Sequence, residues 1–194
     1  MSSDSEPVTD PGSEWPPRVT WARVGSETLL WLRTLTSAAV YATLIVTFVF
    51  QVARVEGRSM EPTLEDRDRL VVNKLAYHVH DPQVGDIVML LHPEDPAKAL
   101  VKRIVAEAGD TVAFQNGLVV RNGLLANEDF IPPPRRSHED RDAVVVPAGH
   151  YFVLGDHRNN SADSRTFGAV PKKYILGRVQ VRWWPLARAR FYAP

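Results

Sequence analysis

Thr111-Val112-Ala113-Phe114-Gln115-Asn116-Gly117-Leu118-Val119-Val120-Arg121-Asn122-Gly123 reads as two successive β-hairpins. Asn-Gly supplies the positive φ angles of a type I′ turn, whose twist matches that of the strands it joins. The runs between the turns are rich in β-branched and aromatic residues, which suit a pleated, half-buried surface. Working outward, Leu70-Val71-Val72, Ile87–Leu91, Val144-Val145-Val146 and Tyr151–Leu154 are short apolar runs. Turn signals separate them: Asp81-Pro82, Gly85-Asp86 and Pro147-Ala148-Gly149. Val52–Val55 is a further strand candidate, and Ile175–Trp183 alternates as a closing strand. Many short strands and few helical periods beyond residue 53 predict a mainly β fold, an all-β domain of sandwich or barrel type.

Upstream the pattern changes. No charged residue occurs between Arg33 and Arg54, and the interior from Ala38 to Phe50 is apolar on every side apart from Thr43 and Thr47. Twenty helical residues span about 30 Å, the thickness of a bilayer core, and a helix apolar all round is a membrane span or a deeply buried core helix. The hydroxyls of Thr34, Thr36, Ser37, Thr43 and Thr47 can bond back to helical carbonyls, and Trp21 and Trp31 suit the interface. A cleaved signal peptide fits poorly, because its apolar region is shorter and nearer the start. Residues 1 to about 20 are rich in Ser, Asp, Glu and Pro and are expected to be disordered. The expected organisation is therefore a disordered tail at 1–26, a transmembrane anchor at 27–53 and a β-rich domain at 54–194. Arginines flank the span on both sides, so charge alone selects neither orientation.

Lys+Arg equals Asp+Glu at 23 each, so no bulk charge argues for nucleic acid. There is no cysteine, which excludes thiol catalysis, thiolate metal sites and disulfides. His78 and His80 would share a face on a strand; a polar strand end or loop accounts for them, and no metal or other cofactor is expected.

The segments that carry chemistry are three. Ser59 lies in Gly57-Arg58-Ser59-Met60-Glu61-Pro62-Thr63-Leu64, where Gly57 permits unusual backbone angles and Pro62 fixes the exit. A turn of this kind presents a hydroxyl and a backbone N–H to one spot, nucleophile and oxyanion donor together. Serine is a poor nucleophile without a base. Lys102 alternates with Leu100 and Ile104, and desolvation among apolar neighbours lowers a lysine pKa. At the ordinary value near 10.4 roughly one lysine in a few thousand is neutral at pH 7, and moving it down three units costs about 4 kcal/mol. The third segment, Gly155-Asp156 through Ser161-Ala162-Asp163-Ser164-Arg165, is dense in short polar groups. Ser161 is placed to orient the lysine amine, and Asp163 with Arg165 to pair and fix the loop. Other serine-hydrolase patterns fail: Glu61 stands where Gly-x-Ser-x-Gly needs its second glycine, and no Ser-x-x-Lys occurs. Bland alternatives exist for each segment: a turn serine, a snorkelling lysine, and a surface loop bonding its own backbone.

Taken in order and spacing, Gly57–Leu64, Lys102-Arg103-Ile104-Val105 with Gly109-Asp110, and Gly155-Asp156 through Arg165 with Gly168 resemble the motifs of bacterial type I signal peptidases. The resemblance runs from about the anchor to the last strands and leaves out the tail and the 129–142 loop. It implies an all-β catalytic domain of coiled antiparallel sheets outside the cytoplasm, a cytoplasmic N-terminus, and a serine endopeptidase that cleaves signal peptides from secretory preproteins. It implies Ser59 as nucleophile, neutral Lys102 as general base, Ser161, Asp163, Arg165 and Asp156 as supporting residues, and no cofactor. The preprotein would lie extended beside Val55 and Leu100, with Val55, Met60, Leu64, Leu100 and Val101 lining shallow pockets for small residues at −1 and −3. Partners would be the preprotein and the lipid bilayer, on which Trp183, Trp184 and Phe191 could rest; no oligomer is required. Two positions depart from the pattern: Gly57 replaces a serine that supplies an oxyanion donor in some members, and His157 replaces the usual asparagine. The competing readings are a self-cleaving Ser–Lys protein of the repressor type and a membrane-anchored β-domain that only binds.

Overall fold

The computed structural model describes residues 21–192, with side chains described from residue 27. Helix α1 runs Trp21–Val49. Its segment Glu27–Val49, 23 residues, is long and apolar enough to cross a membrane, and the sequence window that qualifies is wholly unburied. Thr34, Ser37 and Thr43 hydroxyls donate to the carbonyls of Leu30, Thr34 and Ala39 at 2.8–2.9 Å, so these polar groups need no outside partner. The expected anchor boundaries shift at both ends. Residues 21–26, assigned to the tail, are the first turns of the helix, whereas Phe50–Ala53, assigned to the anchor, belong to a strand. Pairing explains the early end: Phe50 to Arg54 lie antiparallel to Arg69–Asn73 over five residues, and these ladder bonds replace the helical ones. The rest of the expected disordered tail, residues 1–20, lies outside the described residues.

The chain from Leu44 onward forms one compact unit. Its strands are β1 (Phe50–Arg54), β2 (Arg69–Asn73), β3 (Ile87–Leu91), β4 (Ala99–Ala106), β5 (Thr111–Gln115), β6 (Leu118–Arg121), β7 (Leu124–Leu125), β8 (Arg141–Val145), β9 (His150–Leu154), β10 (Val170–Pro171), β11 (Ile175–Trp184) and β12 (Arg190–Phe191). Among the described residues they make two antiparallel sheets. The larger has the order β1-β2-β11-β3-β4-β9-β10, with β12 also on β11; the smaller has the order β7-β6-β5-β8. The mainly β reading holds. Both Asn-Gly turns form as expected: Asn116 and Gly117 have φ of 49° and 74°, Asn122 and Gly123 of 51° and 78°, and β5–β6 and β6–β7 pair across them. Strand β11 does not close the sheet but runs through its middle, between β2 and β3. Short helical turns that no periodicity announced occur at α2 (Ala76–Val79) and α3 (Ser164–Phe167). His78 lies in α2 and His80 just after it, so the strand geometry that would have aligned their rings is absent.

Three apolar clusters hold the unit together. β3 is buried on both faces: Ile87 and Met89 pack with Val55, Met60, Leu64, Leu70, Val72 and Val179, while Val88 and Leu90 pack with Ile104, Tyr151, Val153 and Val170. This two-sided burial is why its sequence is a continuous apolar run rather than an alternation. A third cluster, including Val112, Phe114, Val119, Phe152 and Leu154, joins strands of the two sheets. At the other extreme, Trp184 and Phe191 stand 46% and 80% exposed.

Candidate active site

Ser59 sits on the connection from β1 to β2, a segment that its own residues force into a tight turn. Two backbone bonds close its base, Val55 N–H to the Asp68 carbonyl (2.8 Å) and Arg67 N–H to the Val55 carbonyl (2.9 Å). Gly57 adopts a φ of 85°, a region where a side chain is strained, and its N–H donates to the Asp66 carboxylate at 2.9 Å. Beyond Ser59, Met60 and Leu64 are buried in the core. The buried Asp68 carboxylate accepts from Arg182 (3.2 Å) and Arg188 (2.7 Å), tying the end of this connection to β11 and the segment after it. Held on both sides, Ser59 is left half-buried, and among the described residues its N–H donates to no protein group.

Lys102 comes from the middle of β4, opposite Val88 of β3. Only 2% of it is exposed, and its Nζ is hydrogen-bonded to Ser59 Oγ at 2.8 Å. Burial pushes the amine down to about 8; Asp163 and Asp156 pull it up, and Arg165 pushes it down. A lysine at that value is neutral in about one molecule in ten at pH 7, against roughly one in a few thousand for an ordinary lysine. Desolvation therefore dominates, as the apolar alternation of Leu100, Lys102 and Ile104 leads one to expect.

The third segment leaves β9 at Leu154 and wraps the first two. His157 N–H donates to the Ser59 carbonyl at 3.0 Å. Gly155 is required by close approach: a Cβ there would run into the Ser59 carbonyl oxygen and the Ser161 side chain. Asp163, fully buried, makes a two-point pair with Arg165 (2.8 Å each), caps α3 through the Arg165 N–H and accepts from Gly155 N–H at 3.1 Å. The expected Asp163–Arg165 pair is thus present. Asp156, also fully buried, is paired by Arg103 at 2.9 and 2.7 Å. Ser161 is brought against Gly155, but its Oγ is buried and without a hydrogen-bond partner; the expected bond to the Lys102 amine is not formed.

A cleft of about 530 Å³ opens at Ser59 and Lys102, walled by Gln51, Ala53, Val55, Met60, Met89 and by residues 97–101. Of the expected pocket residues, Val55, Met60, Leu100 and Val101 line it. Leu64 does not: it is completely buried in the core behind the turn. Met89 was not foreseen, because a residue in a doubly buried strand gives no sign of which interior space it faces. Arg103 was missed as the partner of Asp156, although its place beside Lys102, on the opposite side of β4, was a usable signal. Both walls of the cleft offer free strand edges. Among the described residues β1 pairs only with β2, and β4 from Ala99 to Lys102 pairs only with β3.

The chain as a whole is similar to known proteins. A probable signal peptidase I-2 of Synechocystis is 39% identical over 186 residues, covering 93% of this chain and 81% of that one. Signal peptidase I of Leptolyngbya laminosa is 36% identical over 198 residues, 97% of this chain and 95% of that one. A crystal structure of a signal peptidase I from Enterococcus faecalis aligns at 29% identity with a TM-score of 0.46, covering 51% of this chain and 97% of that one. The family described as signal peptidase, peptidase S26, matches residues 28–184. With most of its length inside that match, the chain belongs to the signal peptidase S26 family.

Proposed function

We propose that the protein is a membrane-anchored serine endopeptidase that removes signal peptides from exported preproteins, cutting after small residues at −1 and −3. The observation that carries this reading is the 2.8 Å contact between Ser59 Oγ and the buried Lys102 amine, at a cleft, in a chain of this family. Neutral Lys102 takes the Ser59 proton as the oxygen attacks the scissile carbonyl; the resulting ammonium then gives that proton to the leaving amine. The acyl-enzyme is hydrolysed by water with Lys102 again as base. The Ser59 N–H, which has no acceptor among the described residues, serves the oxyanion. The Ser161 hydroxyl, buried and unpartnered among the described residues, is the group assigned to orient the lysine, for a buried hydroxyl without a partner is costly. The preprotein binds as an added strand between the free edges of β1 and β4, main-chain bonds supplying affinity and pocket size supplying selection.

The test is cleavage of a detergent-solubilised preprotein across pH 6 to 10 by the wild type and by Ser59→Ala. A single cut after a small residue is expected. Ser59→Ala should lose at least about 10⁴-fold in kcat. Because the base must be neutral, activity rises with pH to half its maximum near 8, where the depressed lysine deprotonates. A half-rise near 6.5 would assign the base to a histidine instead, and an active Ser59→Ala would sink the mechanism.

The reading places the N-terminus in the cytoplasm and residues 54–194 outside it. The chain has no cysteine, so a single cysteine introduced at exposed Leu124 reports orientation cleanly. Labelling of intact spheroplasts by a membrane-impermeant maleimide is expected; labelling only after lysis would reverse the topology.

A further inference from the structure

Residues 129–142 lie outside the three motif segments, yet they are strapped to all of them. Phe130 lies under the Arg103 guanidinium at 4.4 Å. The Pro134 carbonyl accepts from Asn159 at 3.0 Å, and Arg141 donates to the Arg165 carbonyl at 2.7 Å. Arg135, at the end of a 3₁₀ turn over Pro133–Arg135, reaches the nucleophile's own turn. One of its terminal nitrogens donates to the Glu61 carboxylate and lies 2.9 Å from His157 Nδ1. The same Nδ1 lies 3.1 Å from the Arg58 carbonyl, so the His157 ring is seated directly against the nucleophile's turn.

The two neighbours of Arg135 both belong to segments that position Ser59. Glu61 follows it by two residues on the same turn, and His157 holds the Ser59 carbonyl through its N–H at 3.0 Å. Glu61 also pairs with Arg58 at 2.8 Å, but the Arg58 side chain is 62% exposed, against 26% for Arg135. Arg58 holds Glu61 at two points, 2.8 and 3.2 Å, but from within the same turn, whereas Arg135 ties Glu61 to a different segment. None of Glu61, Arg135 and His157 lines the cleft.

We propose that Arg135 is a positioning residue for the nucleophile: it clamps the Ser59 turn to the loop bearing His157, and so sets Ser59 Oγ against Lys102. This rests on the Ser59–Lys102 peptidase reading. A displacement of about 1 Å at a reacting group costs on the order of 10²-fold in rate. Because the clamp stands outside the cleft, its loss acts on kcat and leaves KM alone. It also leaves the lysine's pH midpoint in place, since neither Arg135 nor Glu61 is among the groups acting on Lys102.

The experiment is preprotein cleavage by the full-length protein in detergent, comparing wild type, Arg135→Ala, Arg135→Lys, Glu61→Gln, the Arg135→Ala/Glu61→Gln double variant and Ser59→Ala, with thermal unfolding of each. Expected for Arg135→Ala is a fall in kcat of about 10- to 100-fold, with KM within about twofold and an unmoved pH midpoint. Arg135→Lys recovers part of that loss, and the double variant is little worse than the worse single, as members of one unit behave. Should Arg135→Ala fail to fold, Glu61→Gln decides, and it should show the same kcat-only loss. Wild-type kcat in a folded Arg135→Ala or Glu61→Gln, or a loss shared by kcat and KM, overturns the inference. An active Ser59→Ala would instead overturn the peptidase reading beneath it.

Discussion

Replacing Lys102 by methionine is expected to abolish cleavage and, at neutral pH, to make the protein more stable. The first effect follows from its role: removal of a general base costs about 10²- to 10⁴-fold, and methionine offers Ser59 no other acceptor. The second follows from the same pKa. The folded-state value is about 8 against 10.5 for a free lysine, so below pH 8 the fold holds an ammonium that it disfavours. That penalty is on the order of 3 kcal/mol. Between pH 8 and 10.5 the unfolded chain binds more protons than the folded one, so stability rises with pH and the penalty fades; above 10.5 it is gone. Methionine removes the penalty and keeps the volume, but loses the hydrogen bond to Ser59, worth about 1 kcal/mol. A net gain of about 2 kcal/mol raises Tm by roughly 4–8 °C in a chain of this size. Thermal unfolding of full-length Lys102→Met in detergent at pH 7 and pH 10 measures it. The gain should be present at pH 7 and largely absent at pH 10. An equal gain at both would mean that the charge is not what the fold resists.

Gly155→Ala should cost activity almost as severely, without touching a reacting group. Gly155 does not need a glycine's backbone freedom; it needs the absence of a side chain. The added methyl would occupy the place of the Ser59 carbonyl oxygen and of the Ser161 side chain. The carbonyl belongs to the backbone of the nucleophile turn and cannot rotate away, so one of the two segments must move. The bond from His157 N–H to the Ser59 carbonyl stretches with it. Forced overpacking costs about 1–3 kcal/mol in stability. Displacing Ser59 by about 1 Å removes on the order of 10²-fold in kcat. Preprotein cleavage by the folded variant, with a melting curve beside it, is the check. Near-wild-type kcat would show that the 155–168 segment does not set the position of Ser59.

Lys102→Met and Gly155→Ala differ in how readable they are from the chain itself. The lysine stands out locally, because a charged residue alternating with Leu100 and Ile104 must either snorkel or lose its proton. Gly155 does not stand out, since nothing nearby in sequence says that Ser59, 96 residues earlier, passes against it. The same contrast runs through the fold. Both Asn-Gly hairpins and the bounds of β3 were legible, for turn chemistry and apolar runs are properties of a few adjacent residues. The end of the anchor helix was not, because Phe50–Arg54 are apolar enough for either state and only pairing with β2 makes them a strand. Leu64, which the family resemblance implied as a pocket residue, is core, and turn residues carry no periodicity that would have said which way it faces.

What the sequence by itself determined is therefore the inventory: a helix long enough to cross a membrane, a β domain containing two I′ hairpins, a serine on a glycine-bearing turn, and a lysine among apolar neighbours. These follow from backbone preference and local solvation, which act over a handful of residues. What only the tertiary structure decided is which groups meet. Ser59 and Lys102, 43 residues apart, close to 2.8 Å; Arg103 rather than the lysine takes Asp156; β11 runs through the middle of the sheet; and Arg135 reaches Glu61 across 74 residues. Such contacts come from strand pairing and the packing of buried volume between distant segments, and no local pattern carries that information.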